Sequence, residues 1–482
     1  MFTKVTRKDL FCKKKHLPFV PFFFVFLTFF ISKSIFAITG LGRSSINARY
    51  EGLGGLNTAL GGSPIDVSLN PANLYLTKGK KIEFGGSSTF TQAVLKDQFI
   101  DKNPELIYAN NQERQGVGVA PYFAAKLPIT DKIDYGFAFY VVGGGPGGTT
   151  RIDRNTPTGQ SVNQWANVNL PSPLGDSPRI KETTINDSLL IKVSNGASIN
   201  FGKLSLGATV EVNYGRQART QKYFDASGRI EIPGQGYQYE SKKDALALGG
   251  ILGLNYSFSD WFRVGYSYQS RVKVPLDGYY SIGVNDPKYY EHAGVSFSYN
   301  LPEKHSLGFI YATESVKFGV DFTYVNYKSY LKTVKQSLEH PWFVSPFGNS
   351  ANVSANLNYQ NQAGVTLGLE HKFNQEWIYR LAYCYNTPIT SGAGANGSAG
   401  IIFSLSHTIS AGFSYLAGPW SFDLGASYSP PGKNIEGYKS SDWAFLHGYK
   451  GDKDFNFGGY SFQTKALAVV GLTFGVTRSF DL

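Results

Sequence analysis

The chain has 482 residues, a formal net charge of +11 and two cysteines. Its lysines and arginines are scattered rather than clustered, which argues against a nucleic-acid-binding protein, and two cysteines cannot form the disulfide framework of a small secreted domain. No apolar stretch after the N-terminus approaches the roughly 20 residues of a spanning helix, so a helical membrane protein is excluded.

The first 37 residues predict a secretory signal peptide. Six basic residues precede an apolar, Phe-rich run from Leu17 to Ile31, which is the order typical of such a peptide. We expect cleavage after Ala37, with Ser34 as the alternative. Removal of residues 1–37 takes away seven Lys or Arg and one Asp, which lowers the formal charge to +5 and leaves Cys384 as the remaining cysteine.

Residues 38–80 form a glycine-rich segment without strand-like alternation. The segment contains Asn70-Pro71-Ala72, in which Asn-Pro favours a turn. It is too long for a simple terminal strand, so it is either a soluble tail or a hatch folded inside a barrel. We predict the hatch, because a barrel of about 14 strands has a lumen wide enough to need filling or to conduct water.

Residues 81–482 predict an all-β domain, because apolar and small or polar residues alternate with a period of two in segment after segment. One such segment would also fit a soluble sandwich. About 14 in succession, with hardly any helical periodicity, indicate a transmembrane antiparallel β-barrel. The alternation is clearest in four segments, at 204–213, 262–269, 316–324 and 420–428.

The connections between these segments alternate in length. Short ones such as 258–260 alternate with long polar ones such as 149–181, and this pattern is typical of short periplasmic turns and long extracellular loops. Trp261, Trp377 and Trp420 lie beside the short turns, where a barrel has an aromatic girdle. Pro302 interrupts one alternating stretch, and we predict a single long strand with a proline bulge there, which keeps the strand count even.

Several short motifs resemble the FadL/TodX family of outer-membrane transporters for long-chain fatty acids and other hydrophobic compounds. The resemblance covers nearly all of the mature chain and is strongest at six places: Asn70-Pro71-Ala72, Ala120-Pro121-Tyr122, Gly265–Gly278, Asn300–Glu303, Gly368–Trp377 and His407–Tyr415. It implies a 14-stranded barrel in the outer membrane of a diderm bacterium, an N-terminal hatch that occludes the lumen, and passage of ligand sideways through the wall.

The resemblance also implies an inward kink in the third strand. In this chain, the corresponding strand Ile133–Val142 leads into a glycine-rich run that lacks side chains and one ladder donor, which favours a gap in the wall. A flexible loop start is the alternative. The run matches G-x-G-x-x-G, but no helix follows it, so a nucleotide site is not predicted. The predicted lateral opening consists of Gly143, Gly144, Gly145, Pro146, Gly147 and Gly148.

A ligand carboxylate would need a cation near an apolar pocket. Four candidates lie near the predicted extracellular strand ends: Arg216, Arg219, Lys222 and Arg271. Alternatively, these rim charges are solvated or bind lipid head groups. The six histidines of the mature chain show no metal-ligand spacing, so neither a metal nor a cofactor is predicted.

The sequence therefore predicts passive, non-enzymatic uptake of long-chain fatty acids or other hydrophobic small molecules by lateral diffusion through a monomeric barrel in contact with outer-membrane lipid. In this scheme the hatch moves near Asn70-Pro71-Ala72. The alternatives are a general porin, a loop-mediated adhesin and an outer-membrane lipase. The lipase is the weakest alternative, because no G-x-S-x-G nucleophile elbow occurs.

Overall fold

A computed structural model of the protein describes residues 45–101, 107–145, 149–156, 160–241, 245–282, 291–296, 298–331, 333–338, 352–356, 359–389, 406–431, 435–438 and 457–480. The signal peptide predicted at residues 1–37 lies outside this part of the chain. No helix among these residues is long and apolar enough to cross a membrane.

The described chain consists mainly of antiparallel strands. In chain order they are β1 (Lys81–Asp101), β2 (Ile107–Pro128), β3 (Ile133–Gly145), β4 (Thr149–Asn155), β5 (Arg179–Asn200), β6 (Leu204–Asp225), β7 (Glu231–Ser241), β8 (Leu246–Ser257), β9 (Phe262–Gln269), β10 (Val272–Pro275), β11 (Gly278–Ile282), β12 (Glu291–Ser296), β13 (Ser298–Leu301), β14 (Lys304–Ala312), β15 (Val316–Val325), β16 (Thr333–Leu338), β17 (Asn352–Asn356), β18 (Gln362–Lys372), β19 (Trp377–Asn386), β20 (His407–Ala417), β21 (Trp420–Ser429), β22 (Ile435–Tyr438) and β23 (Phe457–Ser479). The helices are short: α1 (Ala48–Glu51), α2 (Val162–Ala166), α3 (Tyr327–Leu331) and the 3-10 helices Pro64–Ser68 and Pro71–Leu76.

Fourteen of these strands pair in a closed ring, which confirms the predicted barrel. The order around the wall is β1, β2, β3, β5, β6, β8, β9, β14, β15, β18, β19, β20, β21 and β23, each strand antiparallel to the next. The first and last strands close it, from Lys81 opposite Ser479 to Asp101 opposite Phe457. In hydrocarbon, where water cannot satisfy backbone groups, this closure supplies partners to both edges of every wall strand.

The two faces of the wall differ as the alternation predicts. On β5, Ser194, Gly196 and Ser198 are buried on the lumen side. On β8, Leu248 and Leu252 are exposed on the outer side, where the acyl chains of the membrane would cover them. Connections of two to four residues join the wall strands at one end, and these are the periplasmic turns.

An aromatic girdle surrounds the periplasmic end, as predicted from the tryptophans. The Trp261 ring lies 5.7 Å from that of Tyr311, and the Trp377 ring lies 5.0 Å from that of Tyr415. Trp420 begins β21 immediately after a turn and lies under the guanidinium of Arg478, at 5.1 Å. Such rings are suited to the boundary between lipid and water, because one part of each is apolar and another polar.

The single strand predicted across Pro302 is wrong. Strand β13 ends before this proline and pairs with β10, whereas β14 begins after it and pairs with the wall strands β9 and β15. The physical reason is the burial of Val272 and Val274 of β10, which pack inside the lumen beside Gly249 and Gly215 of the wall. The wall keeps an even number of strands because the β10–β13 pair lies inside it.

Residues 45–80, which we call the inner segment, lie against the lumen side of the wall. Its apolar residues, including Tyr50, Leu53, Leu56 and Leu74, are almost completely buried. Glycines of the wall allow this contact: at Gly425 an added Cβ would lie 2.3 Å from the carbonyl oxygen of Ala48. Backbone of the inner segment lies similarly close to Gly207, Gly253, Gly265, Gly308 and Gly412, and its side chains lie close to Gly136, Gly196, Gly319 and Gly368. The inner segment therefore contacts the wall at backbone distance on many sides.

We expect Gly425→Ala to lower the free energy of unfolding by about 1–3 kcal/mol, because the new methyl group must displace backbone of the inner segment. Gly250→Ala is the matched control, since its Cβ would lie 3.4 Å from the nearest atom. Thermal unfolding in detergent, followed by the loss of the compact electrophoretic form, measures both. Equal unfolding temperatures for the two variants would contradict close backbone contact at Gly425.

Candidate ligand cavity and wall opening

A cavity of about 210 Å³ lies in the lumen, bounded by the inner segment and by the extracellular halves of the wall strands. A cavity of roughly 150 Å³ is enough to bind benzene. The apolar part of its lining comes from Ile46, Leu69, Tyr140, Val141, Val142, Leu301, Val325 and Tyr327. The polar part includes Lys192, Gln269, Lys304, Thr323, Thr366, Cys384 and Asn386. The cavity therefore suits a molecule with an apolar body and a polar end.

Strand β3 has a bulge where it borders this cavity. Tyr140 lies opposite Lys192 of β5, but the register shifts by one residue between Val141 and Gly143. As a result Tyr140, Val141 and Val142, three consecutive residues, all line the cavity. A regular strand directs consecutive side chains to opposite faces, so the bulge turns the wall inward here.

The ladder between β2 and β3 ends at the same place. It runs from Pro128 opposite Asp134 to Tyr122 opposite Tyr140. Among the described residues no pair of these two strands continues beyond it, although β2 stays paired with β1 and β3 stays paired with β5. Pro121, the next residue of β2, has no N–H to donate. The missing pairs leave a gap in the wall beside the cavity.

This gap lies next to the lateral opening predicted from the glycine run. Gly143, Gly144 and Gly145 form the end of β3 and pair with Leu190, Leu189 and Ser188 of β5. Pro146, Gly147 and Gly148 lie outside the described residues. Strand β4, which follows them, pairs with β5 and also contacts β2. The described part of the run is thus a strand paired on one side.

A buried carboxylate organises the polar wall of the cavity beside the bulge. Glu211 of β6 accepts hydrogen bonds from Lys192 Nζ at 2.9 Å, Gln269 Nε2 at 3.1 Å, and the Tyr140 and Ser194 hydroxyls at 3.3 Å each. These partners come from three further wall strands. Because a buried charge needs partners, this cluster fixes the side chains of Lys192 and Tyr140 at the cavity surface.

Lys304 differs from Lys192 in its partners. Both ammonium groups belong to residues that line the cavity. Lys192 forms an ion pair with Glu211. Within the described part of the chain, the Lys304 ammonium group forms neither a hydrogen bond nor an ion pair. A cation without a bonded carboxylate is available to an anionic ligand group.

Three of the four cations predicted from the sequence, Arg216, Lys222 and Arg271, do not line this cavity. Arg216 is exposed and lies on the same outward face of β6 as Leu206 and Val210, and Arg271 is exposed too. Lys222 forms an ion pair with Glu231 at 3.1 Å. The side chain of Arg219 lies outside the described structure. Carboxylate contacts by these residues therefore find no support in the cavity.

Sequence reasoning missed Lys192 and Lys304. Each belongs to the small or polar face of its strand, alternating with outward residues such as Val193 and His305. This alternation was the available signal. It does not distinguish a cavity cation from other polar lumen residues, because several strands far apart in sequence form the cavity.

The Asn70-Pro71-Ala72 motif holds the inner segment against β6 and β8. The Asn70 side chain caps the second 3-10 helix by accepting a hydrogen bond from the Ala72 N–H at 3.2 Å. Its amide donates to the carbonyl oxygens of Thr58 at 2.7 Å and Leu254 at 3.2 Å. The wall provides space at Gly207 and Gly253. Asn70 and Ala72 are fully buried in these contacts.

A cluster of charged residues attaches the inner segment to β18, on another part of the wall. Arg49 contacts Glu370 of β18 with two nitrogens, at 2.9 and 3.0 Å. Glu370 also contacts Arg380 at 2.8 Å and Lys317 at 2.9 Å. Although burial lowers the pKa of Arg49, the Glu370 carboxylate raises it above the usual value for arginine. Arg49 therefore remains charged while it anchors the segment.

Comparison with known proteins agrees with this architecture. Residues 51–470 match the family described as outer membrane protein transport protein (OMPP1/FadL/TodX). The chain belongs to this family. A comparison with curated protein sequences finds no match.

Solved structures of the family share the fold at low sequence identity. A Pseudomonas aeruginosa FadL homologue has a TM-score of 0.64 at 14% identity, over 92% of this chain and 100% of its own. The P. putida toluene transporter TodX has a TM-score of 0.59 at 13% identity, over 91% and 99%. The Ralstonia pickettii toluene transporter TbuX has a TM-score of 0.56 at 15% identity, over 92% and 100%.

The family membership confirms several predictions. The chain is an outer-membrane β-barrel transport protein, and it is not an enzyme, because the family consists of transport proteins. In the described residues no group of His, Cys, Asp and Glu is arranged to hold a metal ion.

Cys384 lines the cavity and provides a native reporter of its occupancy. We expect oleate or toluene to slow the reaction of this buried thiol with a small methanethiosulfonate reagent, because a bound molecule excludes the reagent. The protein used must lack Cys12. In the matched control, Cys384→Ser is combined with Thr130→Cys in an exposed periplasmic turn, where the ligands leave the rate unchanged. Equal rates at Cys384 with and without both ligands would argue against binding in the cavity.

Proposed function

We propose that the protein mediates passive uptake of long-chain fatty acids or other hydrophobic small molecules by lateral diffusion through the barrel wall. A ligand enters the cavity from the extracellular loops and leaves through the gap between β2 and β3 into the membrane. The observation that carries this proposal is the bulge in β3, at which Tyr140, Val141 and Val142 all line the cavity. The pairing of β3 with β2 ends at the same place.

A lateral route is favoured by the physics of an apolar ligand. An acyl chain that crosses a water-filled lumen stays hydrated, at a cost of about 0.8 kcal/mol for each methylene relative to burial. Exit through the wall transfers the chain directly from an apolar cavity to hydrocarbon. The glycines Gly143–Gly145 support this route, because they place no side chains beside the gap.

The inner segment acts in this proposal as a hatch that blocks the lumen below the cavity. Its support is the close contact with wall glycines and the anchoring by Asn70 and Arg49. The lateral route does not need the hatch to leave its position.

The alternative functions give different results. A general porin would give steady ion conductance in planar bilayers. An adhesin would lose binding to its partner on loop deletion while uptake continues.

The polar residues that line the cavity indicate which class of ligand it can bind. TodX and TbuX are named as toluene transporters, and toluene has no charged group. We propose that this chain also accepts a carboxylate, because Lys304 presents an ammonium group at the cavity without a carboxylate bonded to it in the described structure. The apolar residues of the bulge then contact the acyl chain.

Deletion of Val142 tests the opening. Removing the bulged residue restores a regular register between β3 and β5, so we expect the gap to close and uptake of labelled oleate to fall to the level of cells without the protein. Val142→Ala keeps the bulge and should keep uptake. The measurement requires equal amounts of both folded variants in the membrane. Normal uptake by the deletion variant would contradict lateral exit at this place.

Lys304→Met tests the carboxylate contact. We expect oleate binding to weaken by about 10- to 150-fold, since a hydrogen bond to a charged group contributes about 1.5–3 kcal/mol. Toluene binding should change little, and Lys203→Met in a periplasmic turn serves as the control. Binding is followed by protection of Cys384. Equal losses for the two ligands would show that Lys304 has a structural role only.

A further inference from the structure

Two histidines occupy equivalent positions on the outer face of the wall at its extracellular end. On β14, Ser306 and Ile310 are buried in the lumen, so His305, which precedes Ser306, faces outward in the alternation. On β20, Thr408 and Ser410 are buried, and His407 faces outward. Each histidine lies at the start of its strand, far from the short periplasmic turns.

The surroundings of the two histidines are the same. His305 lies directly opposite Tyr268 of β9, and its Nδ1 is 2.8 Å from the hydroxyl of Tyr266, two residues earlier. His407 lies opposite Tyr385 of β19, and its Nδ1 is 2.7 Å from the hydroxyl of Tyr383, again two residues earlier. Two separate strand pairs thus build one arrangement, a histidine beside a Tyr-x-Tyr sequence.

The hydrogen bond to the tyrosine involves Nδ1 and leaves Nε2 of each imidazole without a bond to either tyrosine. When the hydroxyl donates to Nδ1, the ring proton is on Nε2. In that tautomer, and in the imidazolium form, Nε2–H is the donor that each outward ring offers to a neighbouring molecule.

A further donor accompanies His305. Tyr324 lies opposite it on β15, and the Tyr324 hydroxyl accepts a hydrogen bond from Asn361 at 2.7 Å, which leaves its own O–H to donate. Asn361 accepts at 2.9 Å from the backbone N–H of Lys328, whose side chain is exposed. The imidazole of His305 and the phenol of Tyr324 therefore lie side by side, and Asn361 links them to the backbone at Lys328. The imidazole and the phenol together are the donor set of an anion site.

Apolar surface adjoins each cluster on the side toward the membrane centre. Leu307 follows His305 on the outer face of β14, and Ile409 follows His407 on the outer face of β20, and both are exposed. A dissolved anion gains nothing from such surface. An amphiphile with an anionic head and acyl chains can contact donor and apolar residues together.

We propose that the two Tyr–His clusters bind the phosphate groups of the phosphorylated glycolipid that forms the outer leaflet of the outer membrane. The histidine Nε2 and, at His305, the hydroxyl of Tyr324 donate to phosphate oxygens, while the acyl chains cover Leu307 and Ile409. The clusters lie four strand steps apart, or roughly 19 Å at about 4.8 Å for each step. Each therefore accepts its own phosphate.

The test titrates the full mature protein in detergent with three lipids and counts bound lipid by native mass spectrometry. The lipids are bis-phosphorylated lipid A, the same lipid after enzymatic dephosphorylation, and phosphatidylglycerol. The variants are His305→Phe, His407→Phe and their combination, which keep an aromatic ring at each position. His371→Phe is the matched control, since His371 also faces outward next to aromatic residues but at the periplasmic end.

We expect bis-phosphorylated lipid A to bind about tenfold more weakly to the double variant, while His371→Phe leaves binding unchanged. Dephosphorylated lipid A should bind weakly to all forms. Retained electrophoretic mobility of the folded barrel verifies that each variant is folded.

Three results would overturn the proposal. Unchanged lipid A binding by the double variant would exclude the histidines. Equal binding of the dephosphorylated lipid would exclude phosphate recognition. Equally tight, histidine-dependent binding of phosphatidylglycerol would exclude selection of the glycolipid. None of these results bears on the transport of hydrophobic compounds.

Discussion

A peptide group inside a bilayer finds no water with which to form a hydrogen bond, and the rest of this structure depends on that constraint. It requires each wall strand to pair on both edges and the last strand, β23, to return to the first. It also makes a local loss of pairing informative. Beyond Tyr122 and Tyr140, the described residues of β2 and β3 no longer pair, and the bulge beside this position turns toward a cavity. The backbone thus departs from the rule next to the place where a ligand could pass.

Features that depend on neighbouring residues could be predicted from the sequence. Alternation with a period of two is local, so it identified the barrel, the strand number and the outward girdle at Trp261 and Trp377. The family resemblance predicts a lateral route, which stays a prediction. The single strand predicted across Pro302 is wrong, because proline marks the end of a ladder without showing which strand the preceding residues pair with. Here β13 pairs with β10 inside the lumen.

The polar side of the cavity shows why a site is harder to predict than a strand. Arg216 and Lys222 were prominent in the sequence because they lie near a strand end, yet Arg216 is on the outer face and Lys222 is paired with Glu231. Lys192 and Lys304 become recognisable only when β5 and β14 are placed around one lumen. The contact of the inner segment with wall glycines is equally non-local, since each glycine alone could mark a turn, a bend or a close approach.

The bulge at Val142 changes which face of the wall each later residue of β3 occupies. One added residue exchanges the two faces of a strand, so every later side chain would move from lipid to lumen or from lumen to lipid. The next three residues, Gly143, Gly144 and Gly145, have no side chain to misplace. The two faces of β3 are therefore exchanged without exposing a polar side chain to hydrocarbon or an apolar side chain to water. The three glycines thus allow the wall to bend inward while the alternation of lipid-facing and lumen-facing side chains is preserved elsewhere in β3.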